Sequence, residues 1–166
     1  MKKFLEWLLV ACFSWPVWAQ GPAAGLPFDL GGLKKGTIDE GCYHNPCSVG
    51  KLLEVKKVTR IGDELKVNLM LLGASRDWNS KKYEWNDAPH EVIITCSMRN
   101  PRWAFPGKEE ESVPLNEDMI PGALWNDTEF YLWVCHNGRA AMKRDEDIEA
   151  FARRLGYMLG KKATED

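Results

Sequence analysis

The sequence has no long apolar run. Its one extended hydrophobic stretch, Phe4 to Trp18, is interrupted by Glu6, Ser14 and Pro16, whereas a transmembrane helix needs about 20 predominantly apolar residues in a row. Charge of one sign is equally scarce. The 22 basic residues are set against 24 acidic ones, for a formal net charge of −2, so no strong field draws the chain to nucleic acid or anionic lipid. No basic patch is interleaved with aromatics, and no nucleic-acid module is recognisable. The sequence also lacks a Gly-x-Ser-x-Gly elbow, a phosphate loop, a dinucleotide fingerprint and a His-Glu-x-x-His pair. These absences remove the commonest hydrolase, kinase, dehydrogenase and metalloprotease readings. Internal repeats and low-complexity segments are missing too.

What is present at the start is an export signal. Lys2 and Lys3 precede the interrupted apolar run, and Val17-Trp18-Ala19 offers a small residue at a cleavage point after Ala19. This predicts a secretory signal over 1–19 and places the mature chain in the periplasm of a Gram-negative cell, or outside the cell. Leu9-Val10-Ala11-Cys12 also resembles a bacterial lipobox. Its short, Glu6-containing lead and the apolar residues that follow argue against lipidation. Membrane anchoring, as a lipoprotein, arises only if Cys12 is the lipidated residue.

Cys42, Cys47, Cys96 and Cys135 remain after such a cleavage. An even number in an oxidising compartment predicts disulfides. Of the three possible pairings, Cys42–Cys47 closes a tight local loop, and Cys96–Cys135 joins the ends of two expected strands. Buried free thiols are the plainer alternative.

Along the chain, residues 20–40 read as a flexible tether, because Gly21-Pro22-Ala23-Ala24-Gly25, Gly31-Gly32 and Gly36 interrupt it. Leu26, Phe28, Leu30 and Leu33 could still dock. Residues 41–160 form one globular domain, and 161–166 a disordered tail. Leu52–Ile61 and Leu65–Leu72 read as a hairpin around Gly62-Asp63. A three-residue loop gives the better apolar register, opposing Leu65, Val67, Leu69 and Leu71 to Ile61, Thr59, Lys57 and Val55. A helix over Ser48–Val58 is the competing reading of the first arm. Glu91–Ser97 is a third strand, and short strands are expected near Glu111–Leu115. Glu129–His136, rich in aromatic and β-branched residues and closed by Asn137-Gly138, reads as a central strand buried on both faces. Ile148, Phe151, Ala152, Leu155, Met158 and Leu159 recur at helical spacing, behind Asp145-Glu146-Asp147, with Gly160 as the stop. The expected class is α+β: an antiparallel sheet of four to five strands, stabilised by disulfides, with the C-terminal helix packed on one face.

Candidate sites are few. His44 between Cys42 and Cys47 suggests a metal, but oxidised cysteines offer no thiolate ligands, and neither a metal nor another cofactor is expected. Cys135-His136-Asn137 has the residue types of a thiol-protease triad without its spatial arrangement. The acidic runs Glu109–Glu111 and Asp145–Asp147 look solvated, so no catalytic residue is assigned. The aromatics are the better guide. Tyr43, His44, Trp78, Tyr83, Trp85, Trp103 and Trp125 are candidate binding residues, because Trp and Tyr are enriched at binding hot spots and aromatic faces stack on sugars. The plainer reading is that they cap a small core. The function that fits is an exported, non-catalytic binding domain whose partner is another exported protein, such as an inhibitor or immunity protein against a secreted or cell-wall-directed toxin. The alternatives are a small periplasmic hydrolase and a cell-wall or sugar-binding module using the loop tryptophans.

Overall fold

The computed structural model describes Ala23, residues 25–116, Ile120 and residues 122–159. The expected signal over 1–19, Cys12 and the tail over 161–166 lie outside the described residues. Among the described residues, seven strands form one antiparallel sheet: β1 (Ile38–Gly41), β2 (Cys47–Ile61), β3 (Glu64–Arg76), β4 (Glu84–Trp85), β5 (His90–Cys96), β6 (Arg102–Ala104) and β7 (Glu111–Ser112). Their order is β1-β2-β3-β5-β6-β7, with β4 pairing on β3 beyond the end of β5. Three helices follow: α1 (Trp125–His136), entered through a 3-10 turn at Gly122–Leu124, then α2 (Gly138–Ala141) and α3 (Ile148–Leu155). The sheet exceeds the expected four to five strands because β4 and β6 are only two or three residues long, too short to show periodicity, and β1 begins inside the expected tether; β7 lies where a short strand is expected.

The long hairpin is built from alternation. Leu65, Val67, Leu69 and Leu71 are buried at every second position of β3, as a sheet with one covered face requires. The first arm is strand, not helix. The turn has two residues, not three: Ile61 pairs with Glu64 and Arg60 with Leu65, and Gly62 takes the positive φ of 63° that the turn needs. The apolar mismatch that favoured a longer loop is relieved further along. Register shifts between Val55 and Lys57 and between Leu52 and Glu54 bring Val55 opposite Leu69 and Leu52 opposite Leu71. Such bulges bend and twist a strand, and they help the long hairpin to curl.

The expected central strand over Glu129–His136 is instead the greater part of helix α1. Tyr131 to His136 are six consecutive buried residues, so no face is polar and the helical period is invisible in the sequence. The sheet lies on one side, where α1 packs against β1 and β5. On another, Phe28 sits with its ring 5.5 Å from His136, and the Asp29 amide donates to the Cys135 carbonyl at 2.9 Å. Asn137-Gly138, which resembles a strand-closing turn, is a helix end: Asn137 adopts φ 51° and donates its amide to Leu132. The residues expected as a tether are therefore docked over their described part, with Phe28 in the core and β1 starting at Ile38.

Both expected disulfides form, Cys42–Cys47 and Cys96–Cys135. The second ties the end of β5 to α1. The C-terminal helix begins where the acidic residues placed it, with the Asp147 carboxylate accepting from the Ala150 amide at 2.6 Å. It ends earlier than Gly160, at Gly156 (φ 96°), which leaves Met158 outside the apolar face and 92% exposed. Among the described residues, no helix is long and apolar enough to cross a membrane.

Candidate functional site

The candidate aromatics divide into three groups. The first is a ridge on the Cys42–Cys47 loop. Tyr43 stacks on Trp125, with ring centroids 5.5 Å apart and planes 27° apart, and His44 meets Tyr43 edge-on at 4.6 Å. Trp78 pins the loop from the far end of the long hairpin: its amide donates to Asn45 Oδ1 at 3.0 Å and its indole Nε1 to the His44 carbonyl at 3.1 Å. Arg76 secures that segment in turn. It pairs with Glu40 and donates to the carbonyls of Ser80 at 2.8 Å and Asp77 at 3.0 Å. The 3-10 turn closes against the ridge only because residue 122 is glycine, since a Cβ there would lie 2.5 Å from the Tyr43 ring. Despite these restraints, Tyr43 remains 47% and Trp78 57% exposed.

The second group is Tyr83 with Trp85, at 5.4 Å, where Lys51 Nζ stands 5.9 Å from the Trp85 ring centroid. The third is Trp103, which belongs to β6 and meets Phe105 at 5.2 Å. Trp78 thus belongs with the disulfide loop, Trp85 with Tyr83, and Trp103 with Phe105. Trp85, Trp103 and Trp125 lie in β4, β6 and α1, not in the connections expected for them.

The other sequence candidates resolve simply. Cys42 and Cys47 are bonded to each other, so the cluster they make with Glu40 presents no thiolates to a metal. Cys135 is bonded to Cys96 and carries no nucleophilic thiol. His136 is buried, with Nε2 2.7 Å from the Tyr157 hydroxyl, which lies 3.0 Å from the Tyr131 hydroxyl. Tyr131 accepts from the Ser97 amide at 3.1 Å and donates to its carbonyl at 3.2 Å. Burial pushes the His136 pKa down to about 4, against smaller opposing effects of the Pro27 carbonyl and Asp29, and pushes the Tyr131 phenol up to about 12. This chain of hydroxyls joins α1, the end of β5 and the C-terminal segment inside the core. Of the acidic runs, Glu110 bridges Lys66 at 2.9 Å and Arg102 at 2.7 Å on the sheet's outer face.

A concavity that the sequence did not reveal opens beside the ridge, between the sheet and the first turns of α1. Gly41 and Ser48, which flank the disulfide loop, belong to its lining. Its walls include Leu71, Val92, Trp103, Phe105 and Phe130, and its polar groups are Asp39, His90, Asn126 and Asp127. Burial, with the nearby Glu111 charge, raises the Asp127 pKa above the usual carboxylate range. Reading α1 as a strand hid this site, because Asn126 and Asp127 then fell in a connection and only a helix brings them onto the same wall as Phe130. In comparisons with protein-family models, with curated proteins and with solved structures, the chain matches none.

Proposed function

We propose that the protein is an exported binding domain that acts without catalysis, and that the ridge of Tyr43, His44, Trp78 and Trp125 is its contact surface for another exported protein. One observation carries this reading. Tyr43, on the loop closed by the Cys42–Cys47 disulfide, and Trp78, which holds that loop by hydrogen bonds to Asn45 Oδ1 and the His44 carbonyl, both stay about half-exposed. A solvent-facing aromatic costs the isolated domain apolar exposure, and a rigid loop loses little entropy on docking; the two together describe a preorganised hot spot. Two disulfides suit an oxidising compartment such as the periplasm. A role as inhibitor or immunity protein against a secreted or cell-wall-directed toxin fits this surface and compartment.

The test is capture from an envelope extract, comparing the wild-type domain with a Tyr43→Ala/Trp78→Ala variant that keeps its far-UV circular dichroism. The expected result is a stoichiometric protein partner retained by the first and lost from the second. Recovery of glycan alone, or of the same partner by both, defeats the proposal.

A further inference from the structure

The concavity beside the ridge encloses about 200 Å³, and its origin lies in the sheet. Gly50 pairs with Gly73 on β3 and with Asp39 on β1. Cross-strand partners point to the same face, so these positions share the face that α1 covers. Gly41 lies two residues beyond Asp39 on the same strand, with Asn126 directly over it. Where β3 carries Leu65, Val67, Leu69 and Leu71 toward α1, its next position on that face is Gly73. A Cβ built on Gly50 meets no atom within 4 Å, and its φ is not in the left-handed region. The space is therefore left by missing side chains, at a strand position that any residue could occupy without backbone strain. A glycine in a strand interior sacrifices packing and ordering entropy, and it commonly marks a place where something else comes close.

The lining says what that something is. Asp127 offers a carboxylate, and Asn126 Oδ1 is a buried acceptor with no hydrogen-bond partner. These groups accept hydrogen bonds and call for a donor. Among the described lining residues none is Lys or Arg, so an anion entering here would face the Asp127 carboxylate with no positive side chain in the lining. The remaining wall is aromatic, and the faces of Trp and Phe attract cations. A cavity of roughly 150 Å³ accepts a benzene-sized guest, so the space suits a ring or a short alkyl stem with one head group. We propose that this cleft binds an organic cation, an ammonium or guanidinium group on a short apolar stem. Asp127 and Asn126 receive the head, and Trp103, Phe105 and Phe130 enclose the stem. The site is separate from the proposed protein contact on the ridge and does not depend on it.

Titration calorimetry with benzylamine and agmatine, set against benzyl alcohol and benzoate, tests the proposal directly. Benzylamine should bind at least tenfold more tightly than benzyl alcohol, and benzoate should not bind. Asp127→Asn keeps the side-chain shape and should weaken the amines about tenfold. Gly50→Val fills the floor and should abolish binding without lowering the melting temperature. Amine affinity should also fall as pH drops through the Asp127 titration; the other titratable groups lining the cleft are Asp39 from β1 and His90 from β5, and the Glu111 charge on β7 acts on Asp127 from outside the lining. A peptide with a single blocked arginine separates the two sources of such a head group. Tighter binding of the peptide than of agmatine assigns the cleft to a partner's side chain, and the reverse assigns it to a free amine. Tyr43→Ala/Trp78→Ala should leave amine binding unchanged, which separates this site from the ridge. Equal affinity for benzylamine and benzyl alcohol, an unaffected Asp127→Asn protein, or no binding of any amine to the wild type overturns the proposal.

Discussion

The two ends of helix α1 rest on the same sheet and are finished in opposite ways. At its C-terminal end, Tyr131 to His136 are all buried, a disulfide joins Cys135 to β5, and the Tyr131–Tyr157–His136 chain satisfies the polar groups. At its N-terminal end, Asn126, Asp127 and Phe130 are only partly buried and line one concavity with Gly41, Gly50 and Gly73. The contrast teaches that the open end is not a packing failure of a weak fold. The same helix, a few residues away, buries every residue from Tyr131 to His136, so the space at the open end goes with the glycine at position 50, where a Cβ would meet nothing within 4 Å. Burial at one end supplies stability that allows the other to remain incomplete.

That contrast can be broken most severely at the sealed end. Replacing Cys96 and Cys135 together with serine opens a bridge between residues 39 apart and should cost about 2–4 kcal/mol in urea denaturation. Opening Cys42–Cys47, only five residues apart, should cost clearly less, because the constrained loop is shorter.

Acid should weaken the same end next. The folded protein keeps the His136 imidazole neutral down to about pH 4, while the unfolded chain takes up a proton below its ordinary value of about 6.5. Between those values the unfolded state binds more protons, so stability rises with pH through this window and is lost as pH falls from about 6.5 toward 4. The loss between pH 7 and pH 4.5 should be about 2 kcal/mol, read from the urea midpoints and slopes at the two pH values. A His136→Gln protein should show a smaller difference between the two midpoints, and an unchanged one would mean that another group carries the effect.

At the open end the expected change is smallest and of opposite sign. Gly50→Ala puts a methyl into empty space at a compatible φ and should stabilise the fold by about 0.4–1 kcal/mol. A loss of stability there would show that the floor cannot accept a side chain, and the contrast between the two ends would fail.

The same division governs what the sequence disclosed. The hairpin arms, β5 and the start of α3 were legible because each is covered on one side only and keeps its period. The pairing of Cys96 with Cys135 was found although one of them closes a helix and not a strand, since proximity in space is all the bond needs. Helix α1 was not legible. Its second half, Tyr131 to His136, is covered all round and the helix uses Phe, Tyr, Trp and Val, so propensity favoured a strand and the pattern could not object. The turn between β2 and β3 was misjudged because the register is corrected by bulges along the arms, which no rule confined to the loop can anticipate. The cleft escaped for a related reason. Gly50 and Gly73 look like ordinary strand interruptions until pairing sets them side by side, and Asn126 and Asp127 look like loop residues until the helix raises them over that gap.

The docking of Phe28 and Asp29 beside His136 and Cys135 fixes the orientation of the domain. The leading segment meets α1 at its last turn, and β1 then runs back so that Gly41 reaches Asn126 at the first. The helix spans 12 residues, about 18 Å, and the aromatic ridge stands at the end remote from Phe28. Were the domain held by its leading residues, the ridge proposed as its contact surface would face outward from the point of attachment, like a hand at the end of an arm.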